Sequence, residues 1–268
     1  MISKADSRVV SKLHASPNIE ARVDGAQPRF LIQHYTGMVS CERAVDWLSR
    51  PESKVSCHYV VDCDGQVTQM VAEADRAWHA GVSFWRGLTD LNSASIGIEI
   101  HNPGHDDGYP DFPAEQMDAV RDLSLDICAR WGIPRDGVLG HSDIAPARKM
   151  DPGEKFDWRW LADAGVGIWV EPEPVGPLIG AVSEQLSQET VSRAQSMLRA
   201  YGYGIDVTGE NDKQSRIVVS AFQRHFRPQR VDGLVDHSTV LTLERLLAAT
   251  SINTAGVSNL QSPGIPVL

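Results

Sequence analysis

The chain has 268 residues, 42% of them hydrophobic and 22% charged, with a formal net charge of −10. That acidity repels phosphate backbones and anionic bilayers, so neither nucleic acid nor a membrane is an expected partner. The length predicts two domains, with enough apolar material for a core in at least one of them.

The longest apolar run near the start is Val9-Val10, flanked by charges. An export signal needs about 7–15 apolar residues, and a membrane span roughly 20. The chain as read therefore points to the cytoplasm, or to the periplasm for a form whose signal has been removed. The four cysteines, Cys41, Cys57, Cys63 and Cys128, form no C-x-x-C pair. Free thiols in a reducing compartment are expected, with a Cys57–Cys63 disulfide as the alternative.

Residues 1–27 are polar without a period and read as a loose lead-in. Arg29 to His34 is a short apolar run, expected as a buried strand. Ser40 is placed to cap a helix over Cys41 to Ser49, stopped before Pro51. Val55–Val61 and Gln66–Val71 read as paired strands around an Asp64-Gly65 turn. Ile96 to His101 alternates, with three isoleucines on one face and Gly97, Glu99 and His101 on the other. Met117, Val120, Ser124, Ile127 and Trp131 predict a helix over 113–131, ended by Gly132 and Pro134. Val138 to His141 is one more strand-like run.

Glu171-Pro172-Glu173-Pro174-Val175-Gly176-Pro177 breaks the pattern and reads as a stiff, extended linker. Beyond it, three helical stripes are carried by Val191–Tyr201, Ile217–Phe222 and Val240–Leu247. The expected architecture is α/β, a mixed central sheet flanked by helices, plus a small C-terminal three-helix domain. The expected divisions are a catalytic domain 1–168, a Pro-rich linker 169–184, a helical domain 185–250 and a flexible tail 251–268.

Three segments end in metal-ligand residue types: His34 after the first strand, His141 in Gly140-His141-Ser142-Asp143, and Asp151 ten residues later. Two imidazoles and a carboxylate leave one tetrahedral position open, as a catalytic zinc requires. Spacing alone leaves a packed or hydrogen-bonded histidine as the alternative for each.

Residues 29–160 resemble the zinc amidases related to peptidoglycan recognition proteins and phage lysozyme-type amidases. The resemblance rests on six ordered motifs: Gln33-His34-Tyr35-Thr36, Ser56–Asp62, Ala77-Trp78-His79-Ala80-Gly81, Ser95–Ile100, Gly140–Pro146 and Arg148–Gly153. It implies one Zn2+ per chain on His34, His141 and Asp151, with Glu99 as general base and Lys149 stabilising the oxyanion. It further implies that Tyr35 and Thr36 contact substrate, with local packing as the alternative. Trp78 and His79 are candidates for the groove wall, against a packed aromatic and a hydrogen-bonded imidazole, and Asn102, after the Glu99 strand, is a candidate to bond the stem peptide. Glu99 lies opposite the isoleucines, where it can take a proton from water and pass it to a leaving amine. His101 departs from the family pattern and stands open between surface residue, groove residue and competing ligand. His58 reads as a structural histidine, and Cys57 lacks the acid–base partner a nucleophile needs.

Near the C-terminus the chain resembles a small peptidoglycan-binding helical domain, carried by Val191–Leu198, Tyr201-Gly202-Tyr203-Gly204, Ala221–Arg224 and Val231–Asp236. Asp212-Lys213-Gln214 replaces the usual Gly-Pro before its second helix. Together the resemblances imply an N-acetylmuramoyl-L-alanine amidase acting on peptidoglycan or on soluble, anhydro muropeptides. A non-catalytic recognition protein, a stem peptidase and a phage-type endolysin are the alternatives.

Overall fold

The fold is given by a computed structural model, which describes residues 2–176 and 187–250. The expected tail, 251–268, and residues 177–184 of the expected linker lie outside the described residues. Two short strands come first, β1 (Lys12–Leu13) and β2 (Ile19–Ala21), then β3 (Phe30–Tyr35) and α1 (Cys41–Leu48). Strands β4 (Tyr59–Val61), β5 (Val67–Gln69) and β6 (Asp75–Ala77) follow. After them come α2 (Leu91–Ala94), β7 (Ser95–Ile100), α3 (Ala114–Trp131), β8 (Val138–Gly140), α4 (His141–Ile144) and α5 (Trp158–Asp163). The C-terminal helices are α6 (Gln188–Tyr201), α7 (Lys213–Phe226) and α8 (His237–Ala249). Among the described residues no helix is long and apolar enough to cross a membrane.

The central sheet is mixed, in the order β1-β5-β4-β7-β3-β8. Only β4 and β5 pair antiparallel, across the Asp64-Gly65 turn; β7, β3 and β8 are parallel neighbours. Parallel register fixes what meets at the strand ends. His34 lies opposite Glu99, and Gln33 lies opposite Gly140, which places His141 beside His34. The carboxyl ends of parallel strands are where sheets of this kind build clefts.

The isoleucine alternation sets the layers. Ile96, Ile98 and Ile100 are fully buried against Met117, Val120, Leu123 and Ile127 of α3. On the opposite face Gly97 has a packing requirement: a Cβ there would come within 2.5 Å of the His79 ring. Ser40 caps α1 through the Arg43 amide, as expected.

Residues 1–27 depart from the expected loose lead-in. Strand β2 pairs with β6, and Arg22 is buried. Its guanidinium donates to the carbonyls of Glu73, Asn92, Ser93 and Ser95. Asn18 similarly donates to the carbonyls of Arg50 and Val55. The segment is tied down by polar side chains filling backbone acceptors, which leaves no apolar period to read.

The C-terminal helices share one apolar cluster with the sheet. Phe30, Ile32, Leu139 and Ile144 pack with Tyr201, Tyr203, Phe222 and Phe226. The described part of the linker runs along α8, with the Glu173 amide donating to Thr242 and Ser238 donating to the Glu173 carbonyl.

Candidate active site

Three buried electron-pair donors meet at the end of β3 and β8. His34 Nδ1 and His141 Nδ1 are 2.9 Å apart, and Asp151 Oδ2 lies 3.2 Å from the first and 3.0 Å from the second. All three residues are at most 5% exposed. His34 comes from β3, His141 opens α4, and Asp151 returns from the loop after it, where the Ser142 amide donates to the Asp151 carbonyl.

The hydrogen-bond network sets the tautomers. His141 Nε2 faces the Ala80 carbonyl at 3.1 Å, which only accepts, so this nitrogen carries the proton. Ser95 Oγ donates to the Leu91 carbonyl and therefore accepts from His79 Nε2. His79 Nδ1 is then an acceptor, and His34 Nε2 donates to it at 2.9 Å. In these neutral tautomers both Nδ1 atoms present lone pairs toward the Asp151 carboxylate. Such a set is mutually repulsive until a cation sits within it, and two imidazoles with one carboxylate suit a catalytic zinc.

The charge states agree. Burial, with a second push from His141, lowers the His34 imidazole to about 4, so it stays neutral. Burial, and then the charge of Asp151, push Glu99 well above the usual carboxylate range, opposed by the Lys149 ammonium. Glu99 Oε2 is buried and has no hydrogen-bond partner. A carboxyl so placed is suited to taking up and returning a proton.

A cleft of about 260 Å³ opens over these groups, and Tyr35, Thr36, Trp78, His79, Glu99 and Lys149 are among its walls. Eight of the ten residues singled out for the site therefore line it, and His34 is buried against two of them, His141 and Asp151. Asn102 stands apart: it is buried, donates to the Pro110 carbonyl and accepts from the Gly104 amide, shaping the loop after β7. His79 is both a wall and the hydrogen-bond partner of His34. His58 sits behind it, accepting from the Gly97 amide and held neutral, at about 3, by burial and Arg22. Cys57 is fully buried away from the cleft, and all four cysteines are free thiols.

Asp143, two residues after a ligand, had no assigned role in the sequence. Its carboxylate is 1% exposed and accepts from the Gly140 amide at 2.7 Å, tying down the turn that presents His141. Two residues of the C-terminal helical region complete its shell: Tyr203 donates at 2.6 Å and His225 Nδ1 at 2.7 Å. The His225 ring stacks on Trp158 at 3.8 Å. The loop carrying Ala80 continues to Trp85 and Arg86, which pack on Tyr201 and Tyr203. A short helix after Gly140 was the one available cue to Asp143; nothing local pairs it with residues 60 and 82 positions away.

Comparison with known proteins places this geometry. Residues 24–154 match the N-acetylmuramoyl-L-alanine amidase family, and residues 187–243 match a peptidoglycan binding domain. The Escherichia coli (strain K12) N-acetylmuramoyl-L-alanine amidase AmiD is 34% identical over 255 residues, covering 89% of this chain and 90% of that protein. The solved structure of E. coli AmiD with the substrate anhydro-N-acetylmuramic acid-L-Ala-D-gamma-Glu-L-Lys aligns with TM-score 0.72 and 33% identity, over 87% of this chain and 94% of that one. AmpDh3 from Pseudomonas aeruginosa, solved with an anhydromuramic pentapeptide, aligns with TM-score 0.70 and 31% identity, over 86% and 95%.

Two outcomes follow from the shell around the ligands. His79→Phe keeps a ring but removes the acceptor for His34, and should weaken zinc binding about 10–100-fold in a chelator competition. Unchanged affinity with a raised KM would make His79 a cleft wall only. Tyr203→Phe should cost about 1.5–3 kcal/mol in urea denaturation, because it strips a donor from a buried carboxylate. A loss near zero would contradict the load assigned to that bond.

Proposed function

Because the chain belongs to the N-acetylmuramoyl-L-alanine amidase family, we propose that the cleft over β3, β7 and β8 is its active site and that the five residues at its floor carry the reaction. The chain is an amidase of peptidoglycan recycling or turnover. The bond it cuts joins the lactyl group of N-acetylmuramic acid, or its anhydro form, to the L-alanine of the stem peptide. The observation that carries the site reading is the meeting of three buried donors beside an unpartnered Glu99 oxygen.

His34, His141 and Asp151 would hold one zinc per chain. Zinc held there supplies Lewis acidity, polarising the scissile carbonyl and acidifying water. Glu99, opposite His34 in register, accepts the proton of the attacking water and returns it to the departing L-alanine nitrogen. Lys149 brings a positive charge to the oxygen that becomes anionic. Tyr35, Thr36 and Trp78 are the proposed substrate walls. Asn102 acts behind them, by holding the loop that follows β7.

The division at residues 169–184 is supported by family matches that end at 154 and begin at 187. We assign the C-terminal domain two duties. It grips the wall polymer, as its family match supports, and through Tyr203 and His225 it braces the His141 turn. Four unpaired thiols support a reducing, cytoplasmic setting.

Glu99→Gln should retain zinc yet release stem peptide from a soluble anhydro-muropeptide about 10²–10⁴-fold more slowly. Mass spectrometry of the wild-type products should show a stem with a free L-alanine amino terminus. Fragments cut within the stem, or an active variant, would contradict the assignment.

A further inference from the structure

A second group of metal-ligating side chains lies outside the cleft. Asp62, Cys63 and His101 offer a carboxylate oxygen, a thiol sulfur and a ring nitrogen, all within 4.8 Å of one another. We propose that these three residues form a second metal site, for a thiolate-preferring divalent cation of which zinc is the leading case.

The backbone under the site is rigid. Asp62 and Cys63 begin the turn between β4 and β5, closed by the Gly65 amide on the Asp62 carbonyl at 3.0 Å and the Asp62 amide on the Gln66 carbonyl at 3.0 Å. The His101 amide donates to the Val61 carbonyl at 2.8 Å, and Gln116 Nε2 donates to the carbonyls of both His101 and Val61. The donors thus stand on two strand ends locked side by side, so little ordering is left for a metal to impose.

The imidazole is set for ligation. The Thr36 hydroxyl gives its proton to the Asn102 carbonyl at 3.2 Å, so its oxygen accepts from His101 Nδ1 at 3.2 Å. Nε2 then keeps a lone pair, the arrangement found behind metal-bound histidines. The buried Cys41 thiol donates a hydrogen bond to the Asp62 carboxylate. Asp64 follows Cys63 in the turn, and Glu42 lies near His101, so the surroundings are acidic. Thiolate with imidazole and carboxylate selects zinc-like ions over magnesium or calcium. Binding displaces the thiol proton to solvent, so occupancy rises with pH.

Sulfur separates this site from the triad, which has none. Adding cobalt(II) to full-length protein first loaded with only one zinc per chain should produce a thiolate-to-cobalt charge-transfer band in the near ultraviolet. Cys63→Ser should abolish the band while its melting curve stays that of the wild type, since Cys63 is exposed. His101→Phe should weaken cobalt binding about 10–100-fold. No band in the wild type would overturn the proposal. A band that survives Cys63→Ser and disappears in Cys41→Ser would assign the metal to the buried thiol and overturn it equally.

Discussion

Two imidazole nitrogens and a carboxylate oxygen, all within 3.2 Å of one another, are the arrangement that the rest of this structure holds in place. Left alone, three lone pairs at that distance repel. Parallel register brings His34 next to His141, and the strand between β3 and β4 brings Glu99 alongside. A relay from His34 through His79 and Ser95 to the Leu91 carbonyl keeps one ring from turning, and the Ala80 carbonyl keeps the other. Each link is buried, so both rings are held with Nδ1 turned toward Asp151.

The second domain belongs to that support. Asp143 takes one hydrogen bond from the turn before His141 and two from the C-terminal domain, Tyr203 after α6 and His225 in α7. Trp85 and Arg86, on the loop that also carries Ala80, are packed against Tyr201 and Tyr203. Both loops that orient the ligand rings therefore lean on the helical domain. A wall-binding module on a free tether would need none of these contacts, and its apolar surface would not be continuous with Phe30 and Ile32 of the sheet.

Much of this was legible in the residues. The isoleucine alternation of 96–100 named the buried face and put Glu99 on the other, and the Asp64-Gly65 turn, the capped α1 and the three C-terminal stripes lie near where their patterns put them. What escaped reading is held by polar contacts between distant segments. Arg22 anchors the first residues through carbonyls, leaving no period, and His79 reaches His34, 45 positions away. Asn102 looked like a cleft residue from its place after Glu99, yet its amide is spent on its own loop. Apolar patterning reports which face is buried; it does not say which buried faces meet.

In the proposed mechanism one metal on His34, His141 and Asp151 carries the hydrolysis. This is tested most directly by stripping the protein with a chelator and titrating zinc back while following release of the L-alanyl stem from a soluble anhydro-muropeptide. The stripped protein should release nothing, and recovery should be complete at one tightly bound zinc per chain. His141→Ala should recover nothing. Full activity in the stripped protein, or recovery in that variant at the same stoichiometry, would contradict the mechanism.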